Sequence, residues 1–318
     1  MRAVRGFTDA ATSASHRREA EHPCPVRTRD ITEVLASFGG VATRPQLIAE
    51  GFSPYGLTRA VREGHIQRLR RSRYALNDLD PGLKIAIQHG GVLGSVSAAR
   101  AYGLWTGIDQ RIHISWRNHG NVARPGRVMF GTRPDLVHHW HVPSCEPPET
   151  SVLMVTALEA LAQILRTESK EMAVACADSA VRHGVLTDKE VRALLRSMPR
   201  RIAEWERYID GRSDSGLESI VRIWLMDRGI PFIFHAVIPG VGEVDFLLGT
   251  SLILETDGGQ FHDAPRDAER DARRNARSAA RGFITLRARY RMVMFEPHEW
   301  QRPLLEHLSR GDHRRRIR

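Results

Sequence analysis

The sequence predicts a multidomain α+β protein, and three observations carry that prediction. At about 150 residues per domain, a chain of 318 residues divides into two or three domains, each long enough to bury a core. Short helix signals come first and end in a basic hairpin, a helical stretch fills the middle, and three consecutive strand signals follow Asp214. Apolar residues make up 42%, too many for a disordered chain. They are also too scattered to give the run of about 20 that a spanning helix needs. The chain therefore reads as globular, with no membrane partner. Cys24, Cys145 and Cys176 are far apart and form no CxxC, and the start has no apolar signal-peptide core, so the expected location is a reducing cytoplasm.

Lysine and arginine together number 47 against 37 acidic residues, a formal charge of +10, and only Lys84, Lys170 and Lys189 are lysines. Such a charge makes a polyanion the natural partner, since each arginine brought near a phosphate gains affinity by counterion release. A compositional bias towards arginine accounts for the same count without any partner.

Residues 1–27 are polar, show little periodicity and read as a flexible leader. Within residues 28–80, Ile31, Val34, Leu35 and Phe38 keep helical spacing and stop at Gly39-Gly40. Thr43 with Pro45 opens a second short helix. Ser53 caps a third, with Pro54 at its first position and Leu57 and Val61 on its apolar face. Ile66, Leu69, Tyr74 and Leu76 then read as a two-stranded wing around Arg70 to Arg73. Three helices followed by a basic hairpin make a winged helix-turn-helix pattern. It puts Arg59 and Arg62 on the recognition helix and Arg68, Arg70, Arg71 and Arg73 on the wing. The stretch GGVATRPQLIAEGFSPYGLTRAVREGHIQRLRRSRYAL resembles the winged helix of the AbiEi-type antitoxin family. That resemblance implies DNA as the partner. A winged helix used for protein contacts is the competing use.

Residues 81–150 read as a small α+β module, with SVSAARAYGLW helical and RIHISWR, RVMFGTR and LVHHWHV as strands. Of His138, His139 and His141, only His139 and His141 share a strand face. With no acidic or cysteine partner near in sequence they read as strand-edge histidines and not as a metal site. Residues 151–212 form a helical connector, in which Thr187 and Glu190 make a capping box and Pro199 to Ser213 is a charged joint.

Residues 213–310 carry the chemistry. Ser215 caps a helix bearing Leu217, Ile220, Val221, Trp224 and Leu225, with Glu218 near its first turn. FIFHAVI, EVDFLL and SLILETDG follow as strands, placing Asp245 between Val244 and Phe246, and Glu255 and Asp257 on one face. Carboxylates among core residues are costly unless they bind a cation or accept several hydrogen bonds. Asp245 and Glu255 on adjacent antiparallel strands could clamp Mg²⁺ (or Mn²⁺), which takes oxygen ligands, polarises a phosphate and acidifies water.

A helix glutamate followed by VDF and LILETDGGQFH resembles the very-short-patch-repair-type branch of the PD-(D/E)XK nucleases. The resemblance also extends to the actinobacterial domain of unknown function that is fused to an AbiEi-like N-terminus. It implies an α/β nuclease-like domain with a central mixed sheet flanked by helices, Glu218 as the helix acid, Asp245 as the metal-binding aspartate and Glu255 as the second acid. Asp257 and His262 belong to the branch's DG…H extension, and Asp257 stands where the superfamily has lysine. Water activation would then fall to the metal, with His262 as general base or acid; His235 is the weaker candidate for that role and reads more readily as structural. On the next helix, Arg270 and Arg274 either pair with neighbours or meet DNA phosphates. A basic tail closes the chain at 311–318. The functional expectation is a metal-dependent DNA endonuclease or nickase guided by the winged helix. The alternative is a non-enzymatic DNA-binding regulator of antitoxin or repressor type. A homodimer and a toxin or operon partner stay open.

Overall fold

The computed structural model describes residues 30–116, 135–140, 153–257 and 265–315, with the backbone alone for 265–272. The leader, the strand signal around 127–133, His141 and His262 lie outside the described residues, as do the side chain of Arg270 and the last three tail residues. The architecture is mixed α+β, with three sheets among the described residues.

The N-terminal segment runs α1 (Ile31–Ser37), β1 (Val41–Thr43), α2 (Arg44–Ala49), α3 (Pro54–Arg62), β2 (Gln67–Arg70) and β3 (Arg73–Ala75). Local chemistry sets its helix starts. Thr43 Oγ1 accepts from Gln46 N at 3.2 Å while Gln46 Oε1 accepts from Thr43 N at 2.8 Å, a reciprocal capping box. Ser53 Oγ accepts from Gly56 N at 3.0 Å ahead of Pro54. Leu35, Leu47, Leu57, Ile66 and Tyr74 pack as the core beneath the hairpin. Strand β1 pairs antiparallel with β3, Val41 opposite Ala75, and turns the hairpin into a three-stranded sheet. Three residues are too few to show a strand period, and only the long-range pairing defines this one.

Next come α4 (Pro81–His89), β4 (Val92–Leu93), α5 (Ser95–Ala101), β5 (Ile112–Trp116) and β6 (Leu136–Trp140). The sheet order is β4-β5-β6, antiparallel then parallel. The histidines of β6 lie on an edge strand of this sheet, as expected. His139 is nonetheless buried and meets His113 across the parallel pair, Nε2 to Nδ1 at 2.8 Å, and His113 Nε2 lies 3.1 Å from Asp109 Oδ2. The acidic partner lies four residues before His113 in sequence and contacts its ring on the side away from His139. The result is a linear Asp–His–His chain, without ligand atoms converging on one point.

Helices α6 (Ala157–Thr167), α7 (Lys170–Arg182), α8 (Asp188–Ser197) and α9 (Arg200–Ala203) follow, with a 3-10 turn at Glu204–Tyr208. Thr187 and Glu190 form the expected capping box. The charged segment after Pro199 is well anchored: Ile202, Tyr208 and Ile209 are buried in the core shared by α6, α7 and α8.

The C-terminal segment comprises α10 (Gly216–Asp227), β7 (Ile233–Ile238), β8 (Gly242–Leu248), β9 (Leu252–Asp257), α11 (Pro265–Ala280), β10 (Ile284–Arg289), α12 (Tyr290–Met294) and α13 (His298–Ser309). Its sheet is mixed, in the order β10-β9-β8-β7, with β10 parallel to β9 and the other pairs antiparallel. Helix α10 serves two cores. Leu217, Val221 and Leu225 pack on Phe234, Phe246 and Leu254 of the sheet, while Ile223 enters the connector core. Between those faces Arg222 Nη2 meets Asp178 Oδ2 of α7 at 2.6 Å, both side chains buried.

Candidate functional site

The site starts from a fork in the C-terminal sheet. Strands β8 and β9 pair from Leu248↔Leu252 to Phe246↔Leu254, and there the ladder ends. The next opposed positions are Asp245 and Glu255. In place of a backbone bond, Asp245 Oδ2 accepts from Thr256 N at 2.7 Å and from Thr256 Oγ1 at 2.8 Å. The carboxylate thus satisfies the backbone group that the parting strands leave unpaired.

On the other side of β8, Phe234↔Phe246 and Ala236↔Val244 bracket His235, which stands opposite Asp245. His235 has φ +52°, a left-handed conformation rare for a residue with a side chain beyond Cβ, and it drops out of the ladder. Strand β10 adds Arg287, in register with Glu255. His235, Asp245, Glu255 and Arg287 therefore line up along one row across the four strands.

Glu218 meets this row from α10. Ser215 caps the helix, and Glu218 folds back over its start, accepting from Asp214 N at 2.8 Å and Ser215 Oγ at 3.1 Å. Its Oε2 lies 3.0 Å from His235 Nε2. Only 5% of Glu218 is exposed. Burial pushes its carboxyl above the usual range; the bonds from His235 and Asp214 oppose that shift, and the Asp245 charge adds to it.

Glu255 is engaged differently. It forms ion pairs with Arg274 of α11 and with Arg287, whose Nε is 3.4 Å from Oε2. Asp245 is thus bonded to Thr256, and Glu255, the next opposed position, to two arginines. Among the described residues, the set of three ligand-capable side chains whose atoms all come within 4.8 Å of one another is Asp214, Glu218 and His235. Of these three, Asp214 has no role in the sequence reading and His235 is only its weaker candidate. A polar residue inside FIFHAVI is the available signal for His235; Asp214 is recruited by the cap of α10, which sequence spacing does not reveal. The three carboxylates Glu218, Asp245 and Glu255 are oxygen donors of the kind Mg²⁺ takes, and the imidazole of His235 shifts the preference of the set towards Mn²⁺.

Asp257 is exposed at the end of β9, and it lines a cleft of about 740 Å³ together with Trp105, Arg182, Asp214 and Tyr290. The cleft runs from the connector to the start of α10, where Asp214 also pairs with Arg182.

In the N-terminal segment, Arg59 and Arg62 lie on α3, and Arg59 is 3.7 Å from Glu63. Tyr55, one helical turn before Arg59 and 74% exposed, joins them on the same face and had no signal in the apolar pattern. Arg68, Arg70 and Arg71 are exposed on the hairpin, while Arg73 is half-buried, and burial followed by the Arg70 charge lowers its guanidinium pKa. Arg70 lies over Gly90, φ +93°, where a Cβ would collide with its Nη1. The left-handed φ is what favours glycine at this position, since the exposed end of Arg70 can swing aside.

No helix among the described residues is long and apolar enough to cross a membrane. No curated protein matches the chain. Solved structures with similarity include the catalytic domain of the homing endonuclease I-Bth0305I, at 20% identity and TM-score 0.26, covering 29% of this chain and 94% of that one. A second is the RV2827C protein from Mycobacterium tuberculosis, at 16% identity and TM-score 0.32, covering 61% and 79%. Residues 29–77 match the family model described as a transcriptional regulator, AbiEi antitoxin.

Proposed function

We propose that the protein is a DNA-directed phosphodiesterase, an endonuclease or nickase. Its residues 28–80 act as a winged helix-turn-helix that docks duplex DNA, and residues 213–310 form a PD-(D/E)XK-type domain that hydrolyses a phosphodiester bond. The observation that carries this reading is the row of His235, Asp245, Glu255 and Arg287 at the strand fork, with Glu218 beside it. Asp245, fixed by Thr256, and Glu218 are the residues that would hold Mg²⁺ or Mn²⁺. Bound there, the ion supplies charge stabilisation at the phosphate and a more acidic water. His235, whose Nε2 is 3.0 Å from Glu218 Oε2, would add a nitrogen ligand beside those carboxylates. Arg270 and Arg274 on α11 contribute phosphate contacts, and Asp257 marks the wall by which the strand enters the cleft. On the N-terminal side, the Tyr55–Arg59–Arg62 face supplies the main DNA contact, with Arg68, Arg70, Arg71 and Arg73 alongside.

Supercoiled plasmid incubated with Mg²⁺ and with Mn²⁺ is expected to become nicked. Asp245→Ala lowers that activity by about 100-fold or more. An alanine variant as active as the parent sinks the assignment.

A second reading is favoured by two particular observations: the regulator family matches residues 29–77, and Glu255 is neutralised by two arginines. In it the protein is a non-enzymatic DNA-binding regulator, and the C-terminal domain only clamps DNA or an operon partner. Protection of a DNA site in footprinting, with no cleavage under either metal, would select this reading.

A further inference from the structure

We propose that Arg287 binds the scissile phosphate, its guanidinium meeting a non-bridging oxygen while Glu255 and Asn275 hold it in position. The inference rests on the phosphodiesterase reading and adds to it the group that carries the positive charge.

Hydrolysis of a phosphodiester builds negative charge on the phosphoryl oxygens as water adds and the P–O bond to the leaving oxygen breaks. A positioned cation acts on that charge directly. No lysine follows Lys189, so within the C-terminal segment a permanently charged side chain at the phosphate is an arginine. Among the described residues two guanidiniums reach Glu255, from Arg274 and Arg287. Glu255 is balanced by one of them, and the second lies in the row that also holds the Asp245 carboxylate.

Arg287 and Arg274 differ in how they are held. Arg287 stands on a strand in register with Glu255, in the same row as Asp245, and its backbone position is fixed by the β9–β10 pairing. Its Nε faces Glu255 Oε2 at 3.4 Å and its Nη2 donates to Asn275 Oδ1 at 2.8 Å. These two contacts hold the planar fork in one orientation. Nη1 takes no partner among the described residues, and about a third of the side chain, 34%, remains exposed. Among the described residues the guanidinium is therefore pre-oriented with Nη1 unengaged, which lowers the entropic cost of meeting a phosphate oxygen. Arg274 comes from α11, so it can exchange Glu255 for a more distant phosphate without disturbing the row.

Because an arginine stays protonated at any working pH, the role is electrostatic and not acid–base. Single-turnover cleavage of a duplex with Mn²⁺, paired with fluorescence anisotropy on the same duplex, tests this. Arg287→Ala is expected to slow cleavage by about 100-fold or more, with duplex affinity changed by no more than about threefold. Arg287→Lys, which restores the charge, is expected to recover at least about tenfold over alanine, with the same pH profile as the parent. Arg287→Gln keeps a donor for Asn275 and serves if alanine lowers the melting temperature. Alanine and glutamine variants that cleave at the parent rate, while Asp245→Ala is inactive, overturn the role of Arg287 alone. A lysine variant no faster than alanine overturns the charge argument. Parent protein that fails to cleave under either metal overturns the phosphodiesterase reading together with this one.

Discussion

Glu218 shows how a single side chain can serve both the helix and the site. A buried carboxylate is unfavourable unless donors surround it, and Asp214 N, Ser215 Oγ and His235 Nε2 provide three. Two of these close the start of α10, so part of the residue's value is structural. The third ties it to a histidine held at φ +52° on an edge strand, a conformation that the cap alone does not require. If the Asp214–Glu218–His235 group takes up Mn²⁺, its affinity must depend on the imidazole as well as on the carboxylates. His235→Ala is expected to weaken Mn²⁺ binding, followed by electron paramagnetic resonance of the free ion, by at least about tenfold. Mg²⁺ binding, which draws little from nitrogen ligands, should change less. Equal Mn²⁺ affinity in the variant would remove His235 from the metal-binding group. The acids on β8 and β9 were legible in the sequence because strand alternation separates Asp245, Glu255 and Asp257 from their apolar neighbours. Asp214 and Arg287 were not, since the first joins through a helix cap and the second through a parallel pairing that skips the whole of α11.

At the level of elements, the pairing of β5 with β6 makes its own prediction about acid. It buries His113 against His139, with Asp109 at the far end of the chain of bonds. Burial lowers the pKa of His139 from 6.5 to about 4, and the neighbouring His113 and His138 charges add to the shift. Burial lowers that of His113 too, with Asp109 opposing. The unfolded chain therefore takes up a proton at His139 near pH 6.5 and the folded one does not. Stability is complete above that pH and falls as the pH drops towards 4, by roughly 3 kcal/mol for His139. Urea midpoints at pH 7 and pH 4.5 should show this loss. His139→Gln, which keeps a polar group towards His113 without titrating, should flatten it. An unchanged slope would assign the acid sensitivity elsewhere. Helix starts at Thr43, Ser53, Thr187 and Ser215 were readable because a cap is a contact between neighbours in sequence. The partner of His139 was not, because 26 residues separate it from His113 and only the parallel register joins them.

Across the whole molecule, the basic helix and hairpin and the acidic row belong to different segments, and α10 is the element that joins the connector to the acidic row. Its Arg222–Asp178 pair with α7 is buried, and breaking such a pair leaves an uncompensated charge, so the two faces of α10 are held in one orientation. Binding and cleavage should then be separable by substitution. Arg59→Ala combined with Arg62→Ala removes two cations from α3 and leaves the C-terminal row untouched. Duplex affinity should fall, and the slope of log affinity against log salt should become shallower by about 2, one for each phosphate that α3 no longer neutralises. Cleavage at saturating DNA should stay at the parent rate. Asp245→Ala should do the reverse, keeping the affinity and the salt slope while cleavage disappears. If the α3 double variant kept the full salt slope, the electrostatic contact would lie on the hairpin arginines or on α11. A loss of cleavage at saturating DNA in that variant would mean that α3 acts on the row through the body of the protein, and the path available for that is α7 to α10.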